Sequence, residues 1–514
     1  SYPGARLPLL IAPIDFAANN CTVTVTATGG YNQNVVLTSG ILASGATQDV
    51  SMVATIDLTA NGTYTFNANT SVAGDITPAN DAMTPAVRTV LTLGGTKTVG
   101  TGGDYTTITD AVAAYNAATC FTGPVLFSLL DAAYAGETFP ITINSNAAAG
   151  TNTLTIKPTQ ANTTLTGTSA SAIIILNGAD YIVIDGSIGS TVNSVCPPVS
   201  ASRDLTISNA STSTTSAVVW LQTTGGTNGA TNNVIQNLNI TGNSSTTTLV
   251  GIGSGSPTIS VTSLGTDNNV NAFVNNNIRA VQIGIYSQGA SALAKNSSNT
   301  INQNVMNAVR GSSPSLNIGK AGIQIGFENF ITISGNIIGS AGGSSTDGFG
   351  IAAGGTTIST TTYAGNEVIN AIIANNRIDS IRAASTFSAS GIFVTTSTNG
   401  GTNLIFNNTV SNTGTNGTTG DFGSGIFVGG GAVSTNIYFN SVSISGTFTA
   451  GSQPNFALAV GGTDPVVDIR NNVLSARAVN GSAVTLGLGE YAIGYAYSTF
   501  ANITVNNNDY YTSG

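Results

Sequence analysis

Hydrophobic and polar positions alternate in short runs along most of this chain, and between Ile369 and Ala476 one run recurs with little change. It reads Ile373-Ala-Asn-Asn376-Arg-Ile378, Ile405-Phe-Asn-Asn408-Thr-Val410, Ile437-Tyr-Phe-Asn440-Ser-Val442 and Ile469-Arg-Asn-Asn472-Val-Leu474. The asparagines at 376, 408, 440 and 472 stand 32 residues apart. A fixed spacing of that size marks a solenoid, in which each repeat covers its neighbour's apolar face. The aliphatic residues flanking each Asn are an odd number of positions apart, so both face one core only if the chain bends between them. The Asn is expected at that corner, where its tolerance of left-handed backbone and its short amide side chain are useful. Looser copies at Val234/Asn237, Val274/Asn277, Ile301/Asn304, Ile333/Asn336 and Val505/Asn508 extend the series in both directions. The expected structural column is Asn237, Asn277, Asn304, Asn336, Asn376, Asn408, Asn440, Asn472 and Asn508.

A second phrase falls between the corners, as in Gly322-Ile-Gln-Ile, Gly391-Ile-Phe-Val and Gly425-Ile-Phe-Val. Each coil thus holds at least two short strands separated by loops of variable length, the pattern of a parallel β-helix with coils about 4.7 to 4.9 Å apart. Residues 1–93 differ. Cys21-Thr-Val-Thr-Val-Thr-Ala and Thr63-Tyr-Thr-Phe-Asn-Ala alternate strictly, and Gly29-Gly30, Asn61-Gly62 and Gly74-Asp75 punctuate them, which predicts a small β-sandwich. A Gly-rich linker follows at 94–103. Residues 104–118 read as a capping helix: Thr107 or Thr109 can cap it, and Ile108, Ala111, Val112 and Tyr115 share one face. Residues 119–514 carry the β-helix, which the phrase at Asn506 to Gly514 leaves in mid-coil, so the solenoid is expected to continue.

Three stretches carry family resemblances. Asp57-Leu-Thr-Ala-Asn-Gly-Thr-Tyr-Thr-Phe with Gly74-Asp75-Ile-Thr-Pro78-Ala-Asn80-Asp81 resembles the CARDB-like immunoglobulin-type modules of secreted bacterial proteins, which implies a spacer or adhesion module. Gly103-Asp-Tyr-Thr-Thr-Ile-Thr-Asp-Ala-Val followed by Tyr134-Ala-Gly-Glu137 is similar to the start of pectin methylesterases. The opening coils and the Asn-rich repeats together resemble the large secreted β-helix repeat proteins of Bacteroidota. That likeness implies an all-β fold, a right-handed parallel β-helix preceded by an immunoglobulin-like β-sandwich, and a protein exported to the cell surface.

Composition narrows the function classes. Charged residues make up only 7% of the chain, Gly numbers 62, and 22 acids against 13 bases give a net charge of -9 without runs of either sign. A phosphate-binding surface needs clustered cations, so nucleic acid is excluded as a partner. No apolar run is long enough for a membrane span. Cys21, Cys120 and Cys196 form no CxxC, and with no His the chain lacks the soft ligands of a metal site. Cys120 and Cys196 either pair across the first coils or remain small buried hydrophobes. No cofactor is expected.

Without His, acid–base chemistry falls to carboxylates, Arg, Lys and Tyr. Glu328 and Glu367 fall on neighbouring coils and make one candidate pair, although solvated loop acids fit them as well. Arg377-Ile-Asp379-Ser-Ile-Arg382 and the group Asp464, Asp468, Arg470 read as surface ion pairs. Phe393, Phe406, Phe427, Tyr438 and Phe439 are spaced to stack coil on coil, either on a glycan or in the core. No catalytic cluster stands out, and the pectin methylesterase likeness stops at the opening. The sequence therefore favours a non-enzymatic extracellular protein of structural or adhesive kind, a filament or sheath subunit, that leaves polyuronates intact. A polysaccharide-degrading enzyme and a glycan-binding module are the alternatives. Copies of itself and surface glycans are the expected partners, and Leu7, Leu9, Leu10, Ile11 and Ile14 form a candidate assembly segment ahead of the first strand.

Overall fold

A computed structural model of the chain describes residues 14–44, 46–58, 60–189, 202–306, 317–343, 346–355, 366–383, 387–396, 400–417, 420–431, 434–448, 453–462, 465–480, 490–496 and 500–512. The chain divides into two compact units, one formed by residues 1–94 with 117–123 and the other by 95–116 with 124–514.

In the first unit, strands Tyr31–Leu37, Cys21–Ala27, Gly62–Val72 and Ala86–Val90 form a four-stranded antiparallel sheet in that order. A short ribbon pairs Ile14–Asp15 with Ile41–Leu42. Strict alternation sends Cys21 and Val23 to one side, where they pack with Phe16, Leu37, Leu42, Val50, Met52 and Val72. This small antiparallel unit stands where the immunoglobulin-like sandwich was expected. Ile14 lies inside it, and Leu7, Leu9, Leu10 and Ile11 lie outside the described residues.

The second unit is a right-handed parallel β-helix of three long sheets of 13, 12 and 11 strands. One coil illustrates all: Thr402–Phe406 lies in the first sheet, Thr409–Ser411 in the second, Gly423–Gly430 in the third, and Ser434–Tyr438 returns to the first. The odd spacing of the repeated phrase has the meaning expected of it. Ile373, Ile405, Ile437 and Ile469 are successive register partners in the first sheet and all are buried. In the third sheet, Ile285, Ile323, Ile351, Ile392, Ile426 and Leu458 form a matching interior column. Helix Ile108–Ala117 buries Ile108, Ala111, Val112 and Tyr115. Glu137 holds its start, accepting from the backbone N–H groups of Ile108 and Thr109 at 2.7 Å each, where the helix dipole favours an anion.

The corner between the first and second sheets is an amide ladder. The backbone N–H and the Nδ2 of Asn376 both donate to Oδ1 of Asn408 at 3.0 Å, and Asn408 Nδ2 donates to the carbonyl of Ile373 at 2.8 Å. The same bonds link Asn304, Asn336, Asn376, Asn408, Asn440, Asn472 and Asn508. The coil before them contributes Asn276 and not Asn277, which lies one place on, in the strand. Asn237 is also off the ladder: its position in the coil matches Asn275, its Nδ2 donates to Asp185, and Leu238 occupies the ladder position. The backbone role also differs from expectation. The left-handed residue is the one before each ladder Asn, namely Asn275, Gln303, Gly335, Asn375, Asn407, Phe439, Asn471 and Asn507. The ladder Asn itself is buried from Asn276 to Asn472, and part-buried at Asn508, because its amide replaces the sheet hydrogen bonds that the corner interrupts.

Candidate functional site

Where one face of a sheet meets the core, every second side chain points outward. On the outer face of the first sheet, two outward columns run side by side over the C-terminal coils. One contains Ile372, Leu404, Asn436, Asp468 and Thr504, and the other Ala374, Phe406, Tyr438, Arg470 and Asn506. Leu404, Phe406 and Tyr438 are half-buried, Ile372 is 39% exposed, and Phe439 on the adjoining corner is 58% exposed. The result is an apolar and aromatic strip that ends in a polar trio. Tyr438 donates its hydroxyl proton to Asp468 Oδ2 at 2.8 Å, and Arg470 Nε donates to Asp468 Oδ1 at 2.6 Å. Burial, and then the hydrogen bond to Asp468, raise the Tyr438 phenol above its usual range.

This arrangement can do two things. Half-exposed rings and aliphatic side chains offer flat apolar surface to the faces of sugar rings. A carboxylate held between a phenol and a guanidinium presents a fixed hydrogen-bond acceptor to a bound substrate. The sequence singled out Asp468, Arg470, Phe406, Tyr438 and Phe439, but not that they share one surface. Asp464 lies outside the described residues.

The remaining candidates go elsewhere. Phe393 and Phe427 lie on the outer face of the third sheet, where other side chains cover them completely. Glu328 and Glu367 sit in adjacent coils, since Glu328 is the register partner of Val368. Each has its own partner. Glu328 is fully buried, accepting from Ser287 Oγ at 2.5 Å and from Asn299 Nδ2 at 3.1 Å, and burial pushes its carboxyl up to about 7 against those hydrogen bonds. Glu367 forms an ion pair with Lys295. A buried structural acid and a paired one do not make a catalytic pair. Asp379 accepts from Ser411 Oγ at 2.6 Å and Asn412 Nδ2 at 2.8 Å, while Arg382 donates to the carbonyl of Ser445 at 2.6 Å. Cys21 and Cys120 are free thiols, and Cys196 lies outside the described residues. Among the described residues no group of three or more acidic or thiol side chains converges as a metal site, and no helix is long and apolar enough to cross a membrane.

No protein family matches the sequence, and no curated protein matches it. Solved structures with a similar chain path include the Dettilon tailspike protein, 13% identical with a TM-score of 0.38 over 79% of this chain and 65% of that one. Another is the A-module of an Azotobacter vinelandii mannuronan C-5 epimerase, 11% identical, TM-score 0.30, over 78% of this chain and 94% of that one. A third is the catalytic domain of a GH87 α-1,3-glucanase in complex with tetrasaccharides, 11% identical, TM-score 0.32, over 100% and 91%. At these values the likeness extends to the fold. The similar structures include a glucanase and an epimerase, so the fold lends no support to the expectation of a non-enzymatic filament or sheath subunit, and that expectation is withdrawn.

Proposed function

We propose that this chain is a polysaccharide-active protein that seats an extended glycan on the outer face of the first sheet, along Ile372, Leu404, Phe406 and Tyr438. The observation that carries the reading is the half-exposed apolar strip ending at the hydrogen-bonded trio of Tyr438, Asp468 and Arg470. Four successive coils span about 14 Å along the helix axis, so the strip supports several sugar units in line. Asp468 is the carboxylate that works at the glycosidic linkage, with Tyr438 and Arg470 fixing its orientation. The chain does this work outside the cell, where polymeric glycans are found; its few charges and hydroxyl-rich surface suit that setting.

The test is a panel of neutral and acidic polysaccharides, read by affinity electrophoresis and by release of reducing ends or unsaturated products. Retention by at least one polymer is expected, lost in Phe406→Ala and Tyr438→Ala; product release is expected to fall in Asp468→Asn while retention persists. Retention by none, or retention unchanged by both aromatic substitutions, would overturn the assignment of this face.

A further inference from the structure

We infer that the glycan this face accepts is uncharged, a neutral polysaccharide and not a polyuronate. The inference rests on the reading of the strip as a glycan platform and concerns its selectivity. In the two outward columns from Ile372 to Asn506, Asp468 and Arg470 are the charged side chains, and they cancel. The corner beside them carries Asn375, Asn407, Phe439, Asn471 and Asn507, all neutral. Past that corner, the first outward column of the second sheet reads Arg377, Thr409, Ser441, Val473 and Asp509, with one charge of each sign.

A polyuronate brings a carboxylate on every sugar, and each must find a cation on losing its water. The platform offers one guanidinium, whose Nε is already bonded to Asp468 at 2.6 Å. Elsewhere in the β-helix, Lys157 and Lys295 are likewise held by Asp185 and Glu367. The net charge of -9 adds a long-range field that repels a polyanion. What the strip does supply is apolar surface for ring faces and the amides and hydroxyl of Asn436, Asn506 and Thr504 for sugar hydroxyls. A neutral glycan also restricts the chemistry. β-Elimination requires a carboxylate beside the carbon that loses its proton, so cleavage on this platform is hydrolytic, with water adding across the glycosidic bond.

The experiment uses the full chain and one polymer in two forms: a native polyuronate and the same polymer with its carboxyl groups reduced to alcohols. The reduced form is expected to bind with little dependence on added salt, and the native form to bind at least severalfold more weakly. Asp468→Asn leaves Arg470 without its counter-charge. It should raise affinity for the native form about two- to fivefold at low salt, a gain that disappears as salt is added. Native polymer bound as tightly as the reduced form, or captured through added calcium, overturns the inference and leaves the platform standing. If neither form binds and the rest of the panel is also ignored, the platform reading falls with it. Circular dichroism of the variant confirms that its fold is intact.

Discussion

The outer faces of the first and third sheets carry the same kinds of residue at equivalent positions, yet they meet opposite environments. On the third sheet, Trp220, Tyr286, Phe393 and Phe427 point outward and are at most 1% exposed. Ile259 and Val261, from the loop after one strand, close over Trp220 and Tyr286; Phe422 and Phe456 do the same for Phe393 and Phe427. The covering loop is also tied down: Trp220 Nε1 donates to the carbonyl of Ser256 at 2.9 Å, and the Tyr286 hydroxyl to that of Ser263 at 2.7 Å. On the first sheet, Phe406 and Tyr438 are register partners in the same way but stay part-exposed. An outward aromatic is therefore not diagnostic of binding in a solenoid. What packs over it, a loop as at Ile259 and Val261 or a ring from a neighbouring coil as at Phe456, decides whether it is core or platform.

Truncation separates the two faces most sharply. Trp220→Ala should cost about 3 to 5 kcal/mol, read from the denaturant midpoint, because it empties a closed space and frees the Ser256 loop. Next in size is a pH effect from a buried acid. Glu328 has its carboxyl raised from 4.5 to about 7, so the folded state holds its proton more tightly than the unfolded state. Its stabilising effect is complete below about pH 4.5, declines as pH rises to about 7, and is gone above that; the loss is at most about 3 kcal/mol. Glu490, also raised to about 7, titrates in the same window. Thermal melts of Glu328→Gln should therefore show a slope between pH 4.5 and 7 that is reduced and not abolished, and an unchanged slope would remove Glu328 from the account.

A smaller effect sharpens the contrast at one glycine. Gly253 lies between Trp220 and Tyr286 in the register, and a Cβ there would stand 2.2 Å from the Trp220 ring. Gly253→Ala should cost about 1 to 3 kcal/mol by forcing that ring aside. Smallest in stability is Tyr438→Ala on the open face, under about 1 kcal/mol, with glycan retention as the property that changes. A large loss of stability there would mean the open face is core after all.

The repeat made the fold readable, and its failures are local. The phrase works because interior aliphatics and the buried amide recur together, as at Ile405, Asn408 and Val410. At Phe273-Val274-Asn275-Asn276-Asn277-Ile278 the pattern admits two alignments, since Val274 and Phe273 are both apolar and three asparagines follow one another. The structure chooses Phe273 as the interior residue, three before Asn276, and a shift of one residue reverses every side chain. The platform was less legible. Phe406 and Phe427 look alike in sequence, and whether a loop folds back over a ring depends on contacts far from the ring itself. Glu328 was misleading for a related reason: an acid placed between strands reads as solvated, but its coil turns it inward to Ser287 and Asn299.

The amide ladder bears on how such a chain changes length over generations. Each ladder Asn bonds only within its own coil and the coils beside it, and the bonds from Asn376 to Asn408 are those from Asn408 to Asn440, 32 residues on in each case. Unequal recombination that removes residues 408–439 would bring Asn440 to the place of Asn408, while Ile405 still follows Ile373 and is itself followed by Ile469. The ladder would re-form across the junction without a compensating mutation elsewhere. Loss or duplication of a whole coil is thus nearly silent to the corner, whereas loss of a single residue within the phrase is not. Gene slippage in units of one coil can lengthen or shorten this molecule while selection acts on what its surfaces carry.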